Sequence, residues 1–173
     1  VLYSPLQFKE HDDKEIRDII DQFPLATVVC YSEGEFVANH IPLLRSADGA
    51  YTGHIAKANP LFELYPNGTN AIAIFSSDNS YISPNWYNSS IAVPTWNYVT
   101  AHVYGKPVVI EDPATLYVSQ QDLVNHHEAQ YDNPWQMEYA DTEFINGMLK
   151  GIIGFEMAIE QVQCKFKISQ NRP

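Results

Sequence analysis

The sequence predicts a mainly β fold: an antiparallel β-barrel with peripheral helices (α+β). Runs of β-branched and aromatic residues outnumber the segments with helical periodicity. The turns between the early strands are also too short for the crossovers that parallel strands require. With 173 residues, 45% of them hydrophobic and 18% charged, the chain fits one globular domain over residues 1–173.

Each predicted element follows from a local pattern. The first helix has apolar side chains at i, i+3, i+4 and i+7 after two aspartates, and Pro24 follows it. Asp112-Pro113 and Asp141-Thr142 supply capping carboxylates ahead of two later helices. In chain order we expect a helix at 12–23, strands at 25–31, 36–44 and 50–55, a short helical segment after Asn59-Pro60, strands at 69–76 and 80–83 (the second extending the first), a strand within 93–105 continued at 106–111, a helix from 113 to about 127, a helix from 142 that ends near Gly151, and strands at 152–160 and 163–169.

Composition restricts the possible partners and compartment. The formal net charge is −11, from 21 acidic and 10 basic residues, and this charge repels the phosphate backbone of DNA. No apolar run approaches the roughly 20 residues that span a bilayer. No secretory signal is visible, and Cys30 and Cys164 lie far apart in strand patterns, as buried thiols do. We therefore expect a cytoplasmic protein with no membrane partner and no direct binding to nucleic acid.

The segment 93–105 combines a β pattern with an unusual density of aromatic and polar side chains. Alternation places Val99, Ala101 and Val103 on one face. The opposite face carries Trp96, Tyr98, Thr100, His102 and Tyr104. This second face suits a flat ligand with polar edges, a dimer interface or a large aromatic core, and the strand pattern does not distinguish these.

Motifs for metal binding and nucleophilic catalysis are not evident. The six histidines are spread over separate elements, apart from His126 and His127, which are adjacent on a helix and point in different directions. There is no Gly-x-Ser-x-Gly sequence and no phosphate-binding loop. We therefore expect no metal, and no residue is assigned a catalytic role.

The segment Gly53–Pro60 is a candidate phosphate site. A predicted strand ends there in a helix start, with an imidazole, a cation and an amide at His54, Lys57 and Asn59. The alternative is a solvated lysine beside a capping asparagine. The second basic run, 165–172, contains Arg172, which can make a bidentate contact, and two lysines that solvent alone would satisfy.

Five short motifs resemble the PaiB family over essentially the whole chain. They are YSP (3–5) with Phe8, GHIAKANP (53–60), YISPNWY (81–87), VPTWNY (93–98), and GFE (154–156) with KFKISQNRP (165–173). The resemblance implies an antiparallel FMN-binding split β-barrel of the pyridoxamine-phosphate-oxidase-like type. It also implies a homodimer with ligand sites at the subunit interface and a role as a negative transcriptional regulator.

The resemblance also implies positions for the cofactor contacts. His54, Lys57 and Asn59 would hold the FMN phosphate, and Arg172 would approach the polar end of the ligand. The remaining expected contacts are Asn39, His40 and Pro42 beside the isoalloxazine, and Trp86, Trp96 and Tyr98 as an aromatic wall donated across the dimer.

Three functions remain open at this point. The first is a flavin-linked or small-molecule-sensing regulator. The second is an NAD(P)H-dependent flavin reductase or FMN-dependent oxidoreductase, which needs room for a nicotinamide over the flavin. The third is a DNA-binding repressor, which needs a helix-turn-helix and a basic face, and neither is evident in the sequence.

Overall fold

The computed structural model describes residues 1–10, 12–87 and 91–171, and it confirms an antiparallel β fold with a few helices. The strands are β1 (Lys9–Glu10), β2 (Leu25–Ser32), β3 (Glu35–Pro42), β4 (Leu44–Arg45), β5 (Tyr51–Ala56), β6 (Ala71–Ser76), β7 (Ser80–Ile82), β8 (Thr95–Ile110) and β9 (Ile152–Lys167). The helices are α1 (Asp13–Gln22), α2 (Leu61–Leu64), α3 (Pro113–Glu128) and α4 (Thr142–Leu149), with 3-10 turns at Leu6–Phe8, Tyr65–Asn67, Pro84–Trp86 and Met137–Tyr139.

The sheet curls back on itself. Its strand order is β3-β2-β6-β8-β9-β5-β4, and every neighbouring pair is antiparallel. The two end strands, β3 and β4, are separated in sequence by Leu43 alone, so the two ends of the sheet meet. Here the carbonyl oxygen of Pro42 lies 3.2 Å from the position that a Cβ on Gly53 would occupy. A seam between β3 and β5 thus closes the barrel.

The hydrophobic core fills the interior of this barrel. Inward residues of β8 contribute Val99, Ala101 and Val103, as their alternation predicts. Ile20 of α1 and Leu61 of α2 join the same core. The later helices lie outside, because α3 packs on the outer face of the sheet.

Gly154 shows how α3 packs on the sheet. It precedes Phe155, which is buried in the barrel interior, so Gly154 faces the outer side of the sheet. A Cβ at Gly154 would lie 2.8 Å from Leu116 Cδ1 of α3 and 3.3 Å from the Ile110 side chain. A larger residue at position 154 would therefore push α3 away from the sheet. Leu116 and Ile110, which meet at Gly154, also line a cleft between α3 and the sheet.

Two predicted boundaries are wrong for physical reasons. The strands expected at 152–160 and 163–169 form the single strand β9, since β8 pairs with it from residue 154 to residue 167 and a bulge next to Gly105 absorbs the irregularity. The strand expected at 36–44 is interrupted at Leu43, whose N–H donates to the carbonyl of Pro24 at 2.9 Å. The segment 80–83 follows β6 along β8 as expected, after a break in the pairing.

Candidate functional site

A cleft of about 1060 Å³ lies where the second half of β8 meets the starts of β9 and α3 and the end of α4. We call it the basic cleft, because three of its lining residues are Lys57, Lys106 and Lys150. Most of its other lining residues are apolar, including Phe62, Val108, Ile110, Leu116, Leu149 and Ile152. The volume suits a ligand of cofactor size.

Backbone pairing sets the positions of the three lysines. Lys57 directly follows β5, and its N–H donates to the carbonyl of Gly151 at 3.0 Å, which brings Lys57 beside the neighbouring Lys150. Lys106 lies earlier on β8, about 16 Å of strand before Glu111, and Glu111 follows the end of β8 that is nearer to Lys57. The basic cleft therefore has two cations at one end and one at the other.

The three ammonium groups have no partners within the described part of the chain. Elsewhere, Lys14 pairs with Asp18, Lys165 donates to the Tyr3 carbonyl at 3.0 Å, and Lys167 contacts Thr95 and Trp96. The basic cleft thus concentrates unpaired positive charge in a chain with a net charge of −11. That arrangement favours an anionic ligand.

His54 lies close to the basic cleft, on the outer face of the sheet. It pairs with Gly154 of β9, which in turn pairs with Ile110, a lining residue of the cleft. Its Nδ1 atom is buried and has no hydrogen-bond partner among residues 1–10, 12–87 and 91–171. Burial lowers the pKa of His54, because desolvation disfavours the imidazolium. A neutral imidazole with a buried, unsatisfied nitrogen therefore lies next to the residues that line the cleft.

The other two residues of the predicted phosphate segment separate in role. Lys57 lines the basic cleft. Asn59 turns its carboxamide back on the chain, where Oδ1 accepts a hydrogen bond from the Leu61 N–H at 3.0 Å. The side chain of Asn59 thus serves the start of α2, as the alternative interpretation of the sequence expected.

The three predicted contacts on β3 lie near the seam and not in the basic cleft. His40 pairs with Thr27, and Asn39 pairs with the buried Val28. Alternation therefore puts His40 and Pro42 on the outer face and Asn39 on the opposite one. Pro42 approaches β5 at Gly53, the residue before His54.

The predicted aromatic wall lies at the other end of the molecule. Trp86 is 69% exposed, and Trp96 is 53% exposed with its ring edge-on to Tyr81 at 5.8 Å. Tyr98 lies 5.5 Å from the ammonium of Lys165, which is only 8% exposed. Trp96 and Ile110 are at opposite ends of β8, about 45 Å apart along the strand. One chain therefore does not bring the aromatic wall to Lys57.

Arg172 lies outside the described residues. The sequence interpretation did not predict that Lys106 and Lys150 line the same cleft as Lys57, because only strand register could have indicated it. Within the part of the chain that the structure describes, no three His, Cys, Asp or Glu side chains are grouped as metal ligands do, and no helix is long and apolar enough to cross a membrane.

Comparisons with known proteins identify the family. Residues 2–161 match the family described as "Putative FMN-binding domain". The chain is 33% identical to "Protease synthase and sporulation protein PAI 2" of Bacillus subtilis (strain 168), over 99% of this chain and 83% of that protein. This chain belongs to the PaiB family of FMN-binding domains. Membership indicates FMN as the cofactor of the domain.

Solved structures share the fold of this PaiB-family chain. The flavocytochrome Anf3 from Azotobacter vinelandii superposes with a TM-score of 0.68 at 18% identity, over 94% of this chain and 70% of that one. An FAD and heme binding protein from Mycobacterium smegmatis gives 0.66 at 20% identity, over 92% and 73%. The curled antiparallel sheet is thus the split barrel that the sequence motifs implied.

Proposed function

We propose that this PaiB-family chain is an FMN-binding homodimer, and that it acts as a regulator through the flavin or a small molecule. The observation that carries the proposal is the unpaired Lys57 three residues beyond His54, whose Nδ1 is buried and unsatisfied, in a chain of a family of FMN-binding domains. A flavin phosphate carries nearly two negative charges at neutral pH, by analogy with phosphorylated side chains. Lys57 offsets that charge, and Lys150 lies next to it.

The residues around the seam fit FMN. His54 carries a buried Nδ1 that a ligand group would satisfy, which removes the cost of leaving a buried polar atom unpaired. His40 and Pro42 face outward on the neighbouring strand and border the surface on which the isoalloxazine would lie. FMN supplies electron-transfer chemistry when it is bound. The chain binds the phosphate, orients the ring and keeps His54 neutral.

A second subunit completes the proposed site. Trp96 and Tyr98 are too far along β8 from Lys57 to meet the same flavin within one chain. Trp86 lies in the turn after β7, the strand that pairs with the Trp96 end of β8. Outward residues of β2, β3, β6 and the first half of β8 form a broad apolar surface, which we call the aromatic face: Val29, Tyr31, Phe36, Ile72, Ile74, Trp96 and Tyr98. A surface of this composition is typical of an interface, and a second copy placed there donates its aromatic side chains across the dimer.

The acidic net charge favours an indirect regulatory role over direct binding to DNA. A net charge of −11 repels a phosphate backbone, and the basic cleft sets only three lysines against that charge. The regulatory signal is therefore a change in bound flavin or small molecule, which a further partner reads.

Titration of FMN into the purified protein, followed by quenching of flavin fluorescence, tests the proposal. We expect Lys57→Ala to weaken FMN binding about tenfold, because a charge-assisted contact to phosphate is lost. Lys14→Ala is the matched control, since it removes the same charge from an exposed pair on α1 and should leave FMN affinity unchanged. Equal FMN affinity in Lys57→Ala and wild type would mean that the phosphate binds elsewhere.

A further inference from the structure

We propose that the basic cleft is a second ligand site, separate from the flavin site at the seam. Its ligand is an elongated organic anion with an apolar body and a negative group at each end. The grounds are the charge at the two ends of the cleft, the apolar lining between them, and the position of the flavin-facing groups outside it.

Charge is placed at both ends of the basic cleft. Lys150 precedes Gly151, whose carbonyl accepts from Lys57 N–H, whereas Lys106 lies on the part of β8 that pairs with Ala158. The strand positions opposite Ile152 and at Lys106 are about 20 Å apart. Three unpaired ammonium groups face the single lining carboxylate of Glu111, so the cleft keeps a net positive charge.

The wall between these ends is mostly apolar. Val108 and Ile110 face outward from β8, and Leu116 of α3 approaches Gly154 together with Ile110. The uncharged polar side chains of the lining are Tyr65, Tyr117 and Asn146. A hydrocarbon body gains from burial against such a wall, at about 25 cal/mol per Å². A polyhydroxylated ribityl chain would find few partners there.

The groups that suit a flavin ring lie outside the cleft. His40 and Pro42 border the seam, and neither lines the cleft. His54 lies between the seam and the cleft, and its side chain is not part of the cleft lining. Lys57 is at the boundary, so the two sites are neighbours and a ligand in one lies close to the phosphate end of the other.

Isothermal titration with dodecanedioate, a dicarboxylate with a twelve-carbon chain, tests this inference. Titrations use the full chain, both free of FMN and saturated with FMN. We expect one molecule to bind per chain in both states, with weaker affinity in the FMN-saturated protein because the flavin phosphate shares the charge of Lys57. Lys106→Ala and Lys150→Ala should each weaken binding about tenfold, and the uncharged dodecane-1,12-diol should bind at least tenfold more weakly. Lys14→Ala should bind as wild type, because it removes an exposed lysine far from the cleft.

Each alternative result is decisive. Wild-type affinity for the diacid in Lys106→Ala, or equal binding of the diol, would overturn the second site. Complete loss of diacid binding in the FMN-saturated protein would also overturn it, because the cleft would then be the flavin site itself. Diacid binding that depends on Lys106, in a protein that fails to take up FMN, would support this inference and count against the proposed function.

Discussion

His54 shows how one residue connects the fold to the chemistry of the site. Strand β5 holds it on the outer face, next to Gly154, where α3 covers the sheet. Burial lowers the pKa of His54, and its Nδ1 has no partner in the described ranges. The residue therefore destabilises the fold slightly while it offers a neutral donor or acceptor to a ligand.

The stability of the protein should fall as pH drops below 6.5, the ordinary pKa of histidine. The pKa of folded His54 lies below that value, so the unfolded chain takes up the proton first and unfolding becomes easier as pH falls. The slope is limited to about 1.4 kcal/mol per pH unit for each proton. Urea unfolding at pH 7.5, 6.5 and 5.5 measures it.

The variant His54→Gln tests whether His54 causes this pH dependence of stability. We expect a shallower loss of unfolding free energy than in wild type, with some slope remaining because burial also lowers the pKa of His102. His126→Gln, on the exposed end of α3, serves as the control. An identical slope in wild type and His54→Gln would show that His54 is not the titrating group. The lowered pKa values of Asp12, Asp48 and Asp112 act only below about pH 4, outside this range.

Residue types in the sequence indicated Lys57 but not the other two lysines of the basic cleft. A cation and an amide at the end of a strand are a local pattern, readable within a few positions. Lys106 and Lys150 join Lys57 only through the pairing of β8 with β9 and the contact of Lys57 with Gly151. Such long-range register has no local signature in a single sequence.

At the level of elements, the β8–β9 pair organises the molecule. Local alternation predicted the two faces of β8, since a period of two does not depend on the partner strand. Local pattern did not predict that 152–167 forms one strand, because the bulge that joins its halves is set by the partner. At this bulge the backbone at Gly105 passes very close to the carbonyl of Ala158.

Gly105→Ala should destabilise the protein by about 1–3 kcal/mol, as expected for overpacking. An added Cβ would lie 2.3 Å from the Ala158 carbonyl oxygen and 2.8 Å from Met157 Cγ, and the backbone carbonyl cannot move freely. Gly147→Ala in α4 is the matched control, because nothing lies within 4 Å of the new Cβ. That change should be neutral or stabilise by up to about 1 kcal/mol. Equal midpoints of urea denaturation for the two variants would contradict the tight approach at the bulge.

At the level of the whole molecule, closure of the sheet divides the predicted cofactor contacts into two groups. The seam collects His40, Pro42 and His54 near Lys57, and the far end of β8 carries Trp96 and Tyr98. The sequence motifs predicted both groups, but only the folded chain shows how far apart they lie. A homodimer that joins the groups across the aromatic face reconciles the two observations.

Trp96→Glu should weaken both dimer formation and FMN binding. Trp96 is 53% exposed, so the monomer should fold, while a buried glutamate in the aromatic face of a dimer would carry an unpaired charge that costs several kcal/mol. Sedimentation velocity measures the mass, and flavin fluorescence measures FMN affinity in the same samples. Val118 of α3 is 51% exposed, so Val118→Glu introduces the same charge at a matched exposure. This control should change neither dimer formation nor FMN affinity. A Trp96→Glu protein that remains dimeric and binds FMN as wild type would place the interface on another surface, whereas loss of FMN binding by an intact dimer would assign Trp96 to the flavin alone.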